Sequence, residues 1–401
     1  MRDNDGMGLE SLSAELLSEP IDAARLRSER EFDRIAAPFE RRIVIMGTGY
    51  LGNLALTGLR AARIEPLGFC DNSARLWGTQ KDGVPILSPA DAIAQYNHSA
   101  AFVVAIYNSS APRAQLRQLG AARIVPYPVL FWKHWRTMPT EDRLELPHRI
   151  LERAGEMAAG YNLLSDERSR REFCAQIRWR CLLDYDCLPP AGNPSDMYFP
   201  PGLYTRLPDE VFVDCGAFDG DSIRAFLQAS GGQFAKIYAW EADCGNRRSF
   251  ESYRASLPPE TASRMQVLPY AVGATNQPIR FHADGSVASR FAESGATVEI
   301  ECRTIDNLLA EATPTLIKMD IEGAEPAALR GAALTMQRSR PVMAVCAYHH
   351  CEDLWTLPQL LKSANPDYHI FLRRYAEDCW ETVYYAIPPE RLGIGEETAH
   401  E

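Results

Sequence analysis

The chain lacks three features that would each assign it to a class of protein: paired cysteines, long apolar runs and an excess of basic residues. Its ten cysteines form no CxxC pair, which argues against a zinc ribbon and a disulfide framework. No apolar run approaches the roughly 20 residues of a membrane-spanning helix. The first residues show neither a basic segment nor an apolar core, so we expect no signal peptide and a reduced, cytoplasmic protein.

The charge balance disfavours nucleic acid and anionic membranes as partners. The chain has 42 Lys and Arg residues against 53 Asp and Glu residues, a formal net charge of -11. An acidic chain lacks the electrostatic footprint that binds phosphate backbones. Hydrophobic residues make up 46% and charged residues 24%, as in globular proteins. A small-molecule or glycan partner fits this balance, and a homo-oligomer stays open.

Alternating strand and helix patterns predict an α/β protein with two doubly wound, Rossmann-like domains. Apolar strands that alternate with helices indicate parallel sheets with both faces covered. The second domain is expected to have seven strands, the last two forming an antiparallel hairpin because their connection is too short for a crossover helix. The expected divisions are a helical lead-in (1–40), the first domain (41–130), a helical connector (131–205), the second domain (206–390) and a tail (391–401).

A GxGxxG turn joins the first strand of the first domain to its helix. Gly47, Gly49 and Gly52 permit a tight turn and close approach of the backbone to a phosphate at the helix N-terminus. Asp71 ends the next strand, where a carboxylate can accept hydrogen bonds from ribose hydroxyls. One interpretation is a nucleotide or nucleotide-sugar site. The other is a turn that serves helix–strand packing and binds nothing, and the sequence leaves both open.

A second glycine turn, at residues 214–220, indicates a different chemistry. Asp214 at its mouth would repel a phosphate but suits a cationic ligand, while Gly216 and Gly220 let such a ligand lie against the backbone. Glu241 ends the next strand, where it can hold both hydroxyls of a ribose. Together with the terminal hairpin, these features predict S-adenosylmethionine (SAM) as the cofactor.

Acidic residues follow the fourth strand of the second domain. Asp320 and Glu322 would lie at the carboxyl edge of the sheet, where doubly wound folds bind ligands. A pair of strand-end acids facing a cleft favours a functional role. Glu325, by contrast, is expected to cap the helix that follows.

Two histidines follow the fifth strand. His349 or His350 could take the proton of an acceptor hydroxyl, and Asp320 is a third candidate for that role. Because consecutive residues on a strand face opposite sides, at most one histidine should enter the cleft. The adjacent positions of His349, His350 and Cys351 give poor zinc-ligand spacing, so no metal site is expected there.

These motifs resemble those of the FkbM family of SAM-dependent methyltransferases, over about residues 198–388. The most specific segment is the Asp-x-Glu-Gly-x-Glu run at residues 320–325. The resemblance implies a class I methyltransferase sheet, an acceptor facing Asp320 and Glu322, and O-methylation of hydroxyls in glycans or polyketides. Ala242 follows the ribose-binding acid where many members carry proline. The implied cofactor-binding residues are Asp214, Gly216, Ala217, Phe218, Gly220, Glu241, Tyr270 and Ala271.

The first domain is similar to the nucleotide-sugar-binding domain of some sugar acyltransferases, on residues 44–52, 68–72, 78 and 83–87. We therefore expect an O-methyltransferase acting on a hydroxyl of a sugar, a glycan or a related small molecule. The alternatives are an NAD(P)-dependent nucleotide-sugar oxidoreductase or epimerase run by the first domain, and a non-catalytic nucleotide-binding regulator. Residues 72–128 hold no Tyr-x-x-x-Lys pair, which argues against the oxidoreductase. The acceptor and the use of a divalent metal stay open.

Overall fold

The computed structural model describes residues 17–139, 141–282, 290–291 and 298–393, with side chains outside residues 281–298. Residues 1–16 of the predicted lead-in and 394–401 of the predicted tail lie outside the described residues. The chain divides into two compact units with interleaved segments. The first unit is Met1–Ala154, Cys174–Leu188 and Ala376–Trp380, and the second unit is Gly155–Phe173, Pro189–Tyr375 and Glu381–Glu401.

The first unit contains a six-stranded sheet in the described part of the chain, in the order β3-β4-β2-β1-β5-β6. All pairs are parallel except β3 with β4. The predicted doubly wound pattern is confirmed, although β3 and β4 were not anticipated. The elements are α1 (Ile21–Ala36), β1 (Ile43–Met46), α2 (Tyr50–Ala61), β2 (Gly68–Cys70), β3 (Gln80–Lys81), β4 (Val84–Leu87), α3 (Pro89–Tyr96), β5 (Ala101–Val104), α4 (Ser110–Gln118), β6 (Ile124–Pro126), α5 (Tyr127–His134) and α6 (Pro147–Leu151).

Two helices, α7 (Ala154–Asn162) and α8 (Glu167–Leu182), follow within residues 131–205, the range predicted as a helical connector. The elements after them are β7 (Val211–Cys215), α9 (Asp221–Ala229), β8 (Lys236–Trp240), α10 (Cys244–Ser256), α11 (Pro259–Ala262), β9 (Met265–Leu268), β10 (Ala271–Val272), β11 (Ile279–His282), β12 (Arg290–Phe291), β13 (Val298–Ile300), β14 (Cys302–Arg303), α12 (Ile305–Leu308), β15 (Leu316–Met319), α13 (Glu325–Arg330), α14 (Ala333–Ser339), β16 (Val342–Cys346), α15 (Asp353–Ala364), β17 (His369–Arg374) and β18 (Thr382–Ile387).

The main sheet of the second unit has seven strands among the described residues, in the order β17-β18-β16-β15-β7-β8-β9. Strand β18 is antiparallel to both of its neighbours, and the other pairs are parallel. The predicted hairpin is therefore confirmed. The chain runs outward from β7 to β8 and β9, then returns to β15 on the other side of β7. The carboxyl ends of β7 and β15 thus flank the switch point of the sheet, where doubly wound folds bind ligands.

The cysteines are almost all in the interior. All ten are free thiols, and nine are buried, with Cys244 exposed. No helix in the described ranges combines the length and the apolar character needed to cross a bilayer.

The first glycine turn offers a test of its role in packing. A Cβ atom on Gly52 would lie 2.2 Å from the Gly47 carbonyl oxygen, whereas one on Gly49 meets open space. Gly52→Ala is therefore expected to lower the free energy of unfolding by about 1–3 kcal/mol through overpacking. Gly49→Ser, the matched control, should change it by less than about 0.5 kcal/mol. Equal effects in chemical denaturation would contradict this reading.

Candidate functional site in the second unit

A buried ion pair holds the first loop at the switch point. Asp214 Oδ1 lies 3.1 Å from Nζ of Lys318, and both side chains are buried. The Ser222 hydroxyl donates to Asp214 Oδ2, and Lys318 Nζ donates to the Gly216 carbonyl at 2.8 Å. Burial raises the pKa of Asp214, although Lys318 opposes this. The carboxylate that the family resemblance places along SAM is therefore engaged inside the protein, where it stabilises the loop.

The glycines of this loop are required by its close packing. Gly216 has φ +81°, and a Cβ atom there would lie 1.9 Å from the Asp320 carbonyl oxygen. Gly220 has φ +89° and is the N-cap of α9, and a Cβ atom there would collide with the Phe250 ring. The Gly216 and Ala217 N–H groups both donate to the carbonyl of Trp240 at the end of β8. Backbone contacts with two neighbouring strands thus fix the path of the loop.

Glu241, directly after β8, joins this loop to the next one. Its Oε2 accepts the Phe218 N–H at 2.8 Å, and its Oε1 accepts the Asp243 N–H at 2.7 Å. Burial raises the pKa of Glu241 to about 7, although the two backbone donors oppose this shift. Each carboxylate oxygen still has a lone pair, since a carboxylate accepts about four hydrogen bonds.

The remaining two residues of the implied cofactor set lie beyond β9. Tyr270 is half-buried, with the Arg303 guanidinium 5.6 Å from its ring centroid. Ala271 begins β10, and its N–H donates to the Glu301 carbonyl. The structure gives neither residue a direct contact with Glu241, so the role near adenine that the resemblance implies stays a prediction.

Asp320 lies directly after β15 and is held by two tyrosines. The Tyr198 hydroxyl donates to Oδ2 at 2.8 Å, and the Tyr348 hydroxyl donates to Oδ1 at 3.3 Å. Burial favours the neutral acid, but Lys318 and His349 outweigh it and lower the pKa of Asp320. Asp320 is thus an ionised acid at the switch point, with its side chain 24% exposed.

His349 lies among three carboxylates. Its Nδ1 is 2.9 Å from Glu325 Oε1, and its Nε2 is 3.4 Å from Asp320 Oδ1 and 3.8 Å from Glu322 Oε2. Burial alone would lower the pKa of His349, but these acids raise it to about 9. The structure therefore brings together three of the four predicted catalytic residues.

Glu325 does not cap α13, so that expectation is wrong. The N-cap of α13 is Ala324 and receives no side-chain hydrogen bond. Glu325 instead accepts the N–H groups of Ile321 and Gly323 and approaches His349. Because this fully buried carboxylate needs several hydrogen-bond donors, it pairs with His349 and with the loop before the helix and does not cap the helix.

His350 has a different environment. Its Nδ1 lies 3.7 Å from Asp353 Oδ2, and its backbone N–H donates to the same oxygen. Its ring packs against Gly323, in the space that a side chain on that residue would need. The two histidines thus have different partners, and the one beside Asp320 is His349. That at most one of them enters the ligand cleft stays a prediction.

Three residues of the site had no role in the sequence analysis: Tyr198, Lys318 and Glu381. Burial and the neighbouring Asp320 raise the pKa of Glu381 to about 7, and it interacts with Tyr348 and His349. Lys318 stands in the otherwise apolar β15, a sequence signal that could have indicated a buried charge. Tyr198, from a loop distant in sequence, gave no such signal.

In the first unit, the glycine turn is engaged by its own acid. Asp71 Oδ2 accepts the Thr48 N–H at 3.0 Å and the Thr48 hydroxyl at 2.8 Å. Its Oδ1 accepts the Ser73 N–H at 2.9 Å. Gly47, Gly49 and Gly52 surround these contacts, so the described interactions of the turn are internal.

The strand order of the second unit is that of a Rossmann-like α/β fold, consistent with methyltransferase folds. Residues 214–379 match the family model described as "Methyltransferase FkbM domain". This part of the chain therefore matches the FkbM methyltransferase domain, the family whose resemblance the sequence analysis stated. No curated protein matches the chain. The comparisons do not support a nucleotide cofactor or the acyltransferase-like reading of the first domain.

Comparison with solved structures finds one that shares the fold over most of both chains, and two with much lower similarity. Methyltransferase FkbM from Methylobacillus flagellatus KT has a TM-score of 0.73 and 24% identity, over 92% of this chain and 99% of that one. A candidate rRNA-methylase from Clostridium thermocellum has a TM-score of 0.32 and 8% identity, over 48% and 91%. Precorrin-6y C5,15-methyltransferase from Geobacter metallireducens GS-15 has a TM-score of 0.28 and 13% identity, over 44% and 78%.

The buried pair of Asp214 and Lys318 gives a stability prediction. Lys318→Met leaves a buried carboxylate without its cation and should lower the free energy of unfolding by about 3–5 kcal/mol. Adding Asp214→Asn removes the stranded charge, so the double variant should be more stable than Lys318→Met alone. Urea unfolding of the unchanged protein, the two single variants and the double variant measures the coupling. Purely additive effects would show that the pair does not act as a unit.

Proposed function

We propose that the second unit is a SAM-dependent O-methyltransferase that transfers a methyl group to a hydroxyl of a sugar, a glycan or a related small molecule. The observation that carries the proposal is the cluster of Asp320, Glu322 and His349 at the switch point, beside the loop that Glu241 joins to β8. An acid–histidine cluster at this edge suits removal of a hydroxyl proton.

The residues at this edge fit SAM. Glu241 retains acceptor capacity for two ribose hydroxyls, since each of its oxygens accepts one described backbone donor. The acids near the switch point favour a cationic group over a phosphate. Lys318, which would attract an anion, is buried and paired with Asp214. When bound, SAM supplies an electrophilic methyl group.

The chain's own residues would orient the acceptor and manage its proton. Asp320 and Glu322 have partly exposed carboxylates that can accept hydrogen bonds from acceptor hydroxyls. Tyr198 and Tyr348 hold Asp320 in one orientation. Much of the rate would come from alignment, because fixing two reactants can remove about 7–11 kcal/mol of the barrier.

Methyl transfer from labelled SAM tests the function directly. The full-length protein is incubated with a panel of nucleotide sugars, glycans and small polyols, and products are analysed by mass spectrometry and NMR. We expect a methyl ether on a hydroxyl oxygen. Tight SAM binding without turnover on any acceptor would instead support a regulator, and methylation only at nitrogen or carbon would refute the O-methyl assignment.

Glu241 provides a test of the cofactor site with a defined pH dependence. Its ionised carboxylate is the form that accepts from two hydroxyls, and its pKa is raised to about 7. SAM affinity should therefore fall as the pH drops below about 7, by at most about tenfold per pH unit. Glu241→Gln should bind SAM weakly and without this pH dependence.

Isothermal titration calorimetry measures both proteins across pH, with Glu251→Gln as the control. Glu251 is a half-exposed acid on α10, in the same unit. It should keep the affinity and the pH profile of the unchanged protein. If Glu241→Gln also keeps both, Glu241 does not hold the cofactor.

Substitutions of the two histidines should lower kcat to different extents. His349 faces Asp320 and Glu322, whereas His350 faces Asp353. His349→Gln is expected to lower kcat by about 100-fold or more, the usual range for loss of an acid–base group. His350→Gln should lower it at least tenfold less. The reverse order in steady-state kinetics would reject the assignment of His349.

A further inference from the structure

The cluster around His349 has an excess of negative charge. Carboxylate oxygens of Asp320, Glu322 and Glu325 lie within 3.4, 3.8 and 2.9 Å of its ring nitrogens. A protonated His349 would balance only one of these three charges. Lys318, which also faces Asp320, is ion-paired with Asp214 at 3.1 Å. Buried charges of one sign are costly unless a counter-charge is present.

The orientation of His349 supplies an independent sign of a ligand. Its side chain is 2% exposed, and its Nε2 makes no hydrogen bond although it points toward Asp320 and Glu322. Glu325 Oε1, 2.9 Å from Nδ1, is placed to receive the proton of that nitrogen. A carboxylate behind one ring nitrogen is how metal-binding histidines are usually oriented, with the other nitrogen left to bind the ion.

The spacing of the donor atoms suits a single cation. His349 Nε2 lies 3.4 Å from Asp320 Oδ1 and 3.8 Å from Glu322 Oε2. Ligands of an octahedral ion with bonds of about 2.1 Å are about 3 Å apart in cis and about 4.2 Å apart in trans. The Asp320 and Glu322 side chains are 24% and 17% exposed, so a hydrated ion can reach them.

We propose that His349 Nε2, Asp320 and Glu322 bind a divalent cation, and that Glu325 positions the imidazole through Nδ1. Mixed imidazole and carboxylate donors suit a first-row ion such as Mn²⁺. This differs from the sequence expectation of no metal, which considered only neighbouring residues. In a step that rests on the proposed O-methyltransferase function, the cation would bind the acceptor hydroxyl and make it more acidic, its proton would pass to solvent at this partly exposed site, and its oxygen would take the methyl group as the S–CH3 bond of SAM breaks.

Mn²⁺ binding to the chelator-treated, full-length protein tests the site without any assay of activity. Electron paramagnetic resonance follows the loss of the free Mn²⁺ signal. We expect one Mn²⁺ per chain, with affinity about tenfold or more weaker in Asp320→Asn, Glu322→Gln and His349→Gln. Glu325→Gln, which removes the orienting charge, should weaken binding by about 10- to 100-fold. Circular dichroism and thermal unfolding check that each variant folds.

His350→Gln is the matched control, because it makes the same change one residue away and faces Asp353. It should keep Mn²⁺ binding within about twofold, since it removes no proposed ligand. Absence of saturable Mn²⁺ binding, or equal binding by all variants, would overturn the cation site.

The two proposals can fail separately. If Mn²⁺ binding follows the expected order of variants but no acceptor is methylated, the cation site stands and the O-methyltransferase function fails. If methyl transfer proceeds undiminished in EDTA and the protein binds no Mn²⁺, the function stands and the cation site fails.

Discussion

The buried ammonium group of Lys318 fixes the switch point of the second unit. It pairs with Asp214 at the end of β7 and donates to the Gly216 carbonyl in the loop that follows. Removing a lysine from water is unfavourable unless carboxylates compensate for the lost hydration, and Asp214 and Asp320 do so here. Because Lys318 belongs to β15, this contact joins the carboxyl ends of the two strands that flank the switch point.

The same ion pair explains why the neighbouring acids carry more negative charge than the nearby cationic groups balance. Lys318 satisfies Asp214 on the β7 side, so Asp320 depends on Tyr198, Tyr348 and His349 for its other partners. Two tyrosine hydroxyls stabilise a carboxylate without cancelling its charge. The site therefore combines a buried structural acid, paired with Lys318, with partly exposed acids at the sheet edge, of which Asp320 has a lowered pKa.

The sequence predicts elements whose pattern is local and misses those whose cause is tertiary. Strands buried on both faces, such as Val342–Cys346, read as apolar runs, whereas Gln80–Lys81 is too short and polar to be recognised. Asp320 and His349 could be placed because strand-end positions follow from the strand pattern. The pairing of Asp214 with Lys318 could not, since more than one hundred residues separate them. Glu325 was misread because capping depends on near neighbours, and its partner His349 does not.

The two glycine turns show why an acid after the second strand is weak evidence for a ligand. Asp71 accepts the Thr48 N–H in the first unit, and Glu241 accepts the Phe218 N–H in the second. In both, the carboxylate satisfies a loop donor that would otherwise be unpaired, so glycine loop and acid stabilise each other without a ligand. What the second unit adds is the acid–histidine cluster. Internal packing does not require three carboxylates around one buried imidazole, so that cluster, rather than either turn, carries the functional argument.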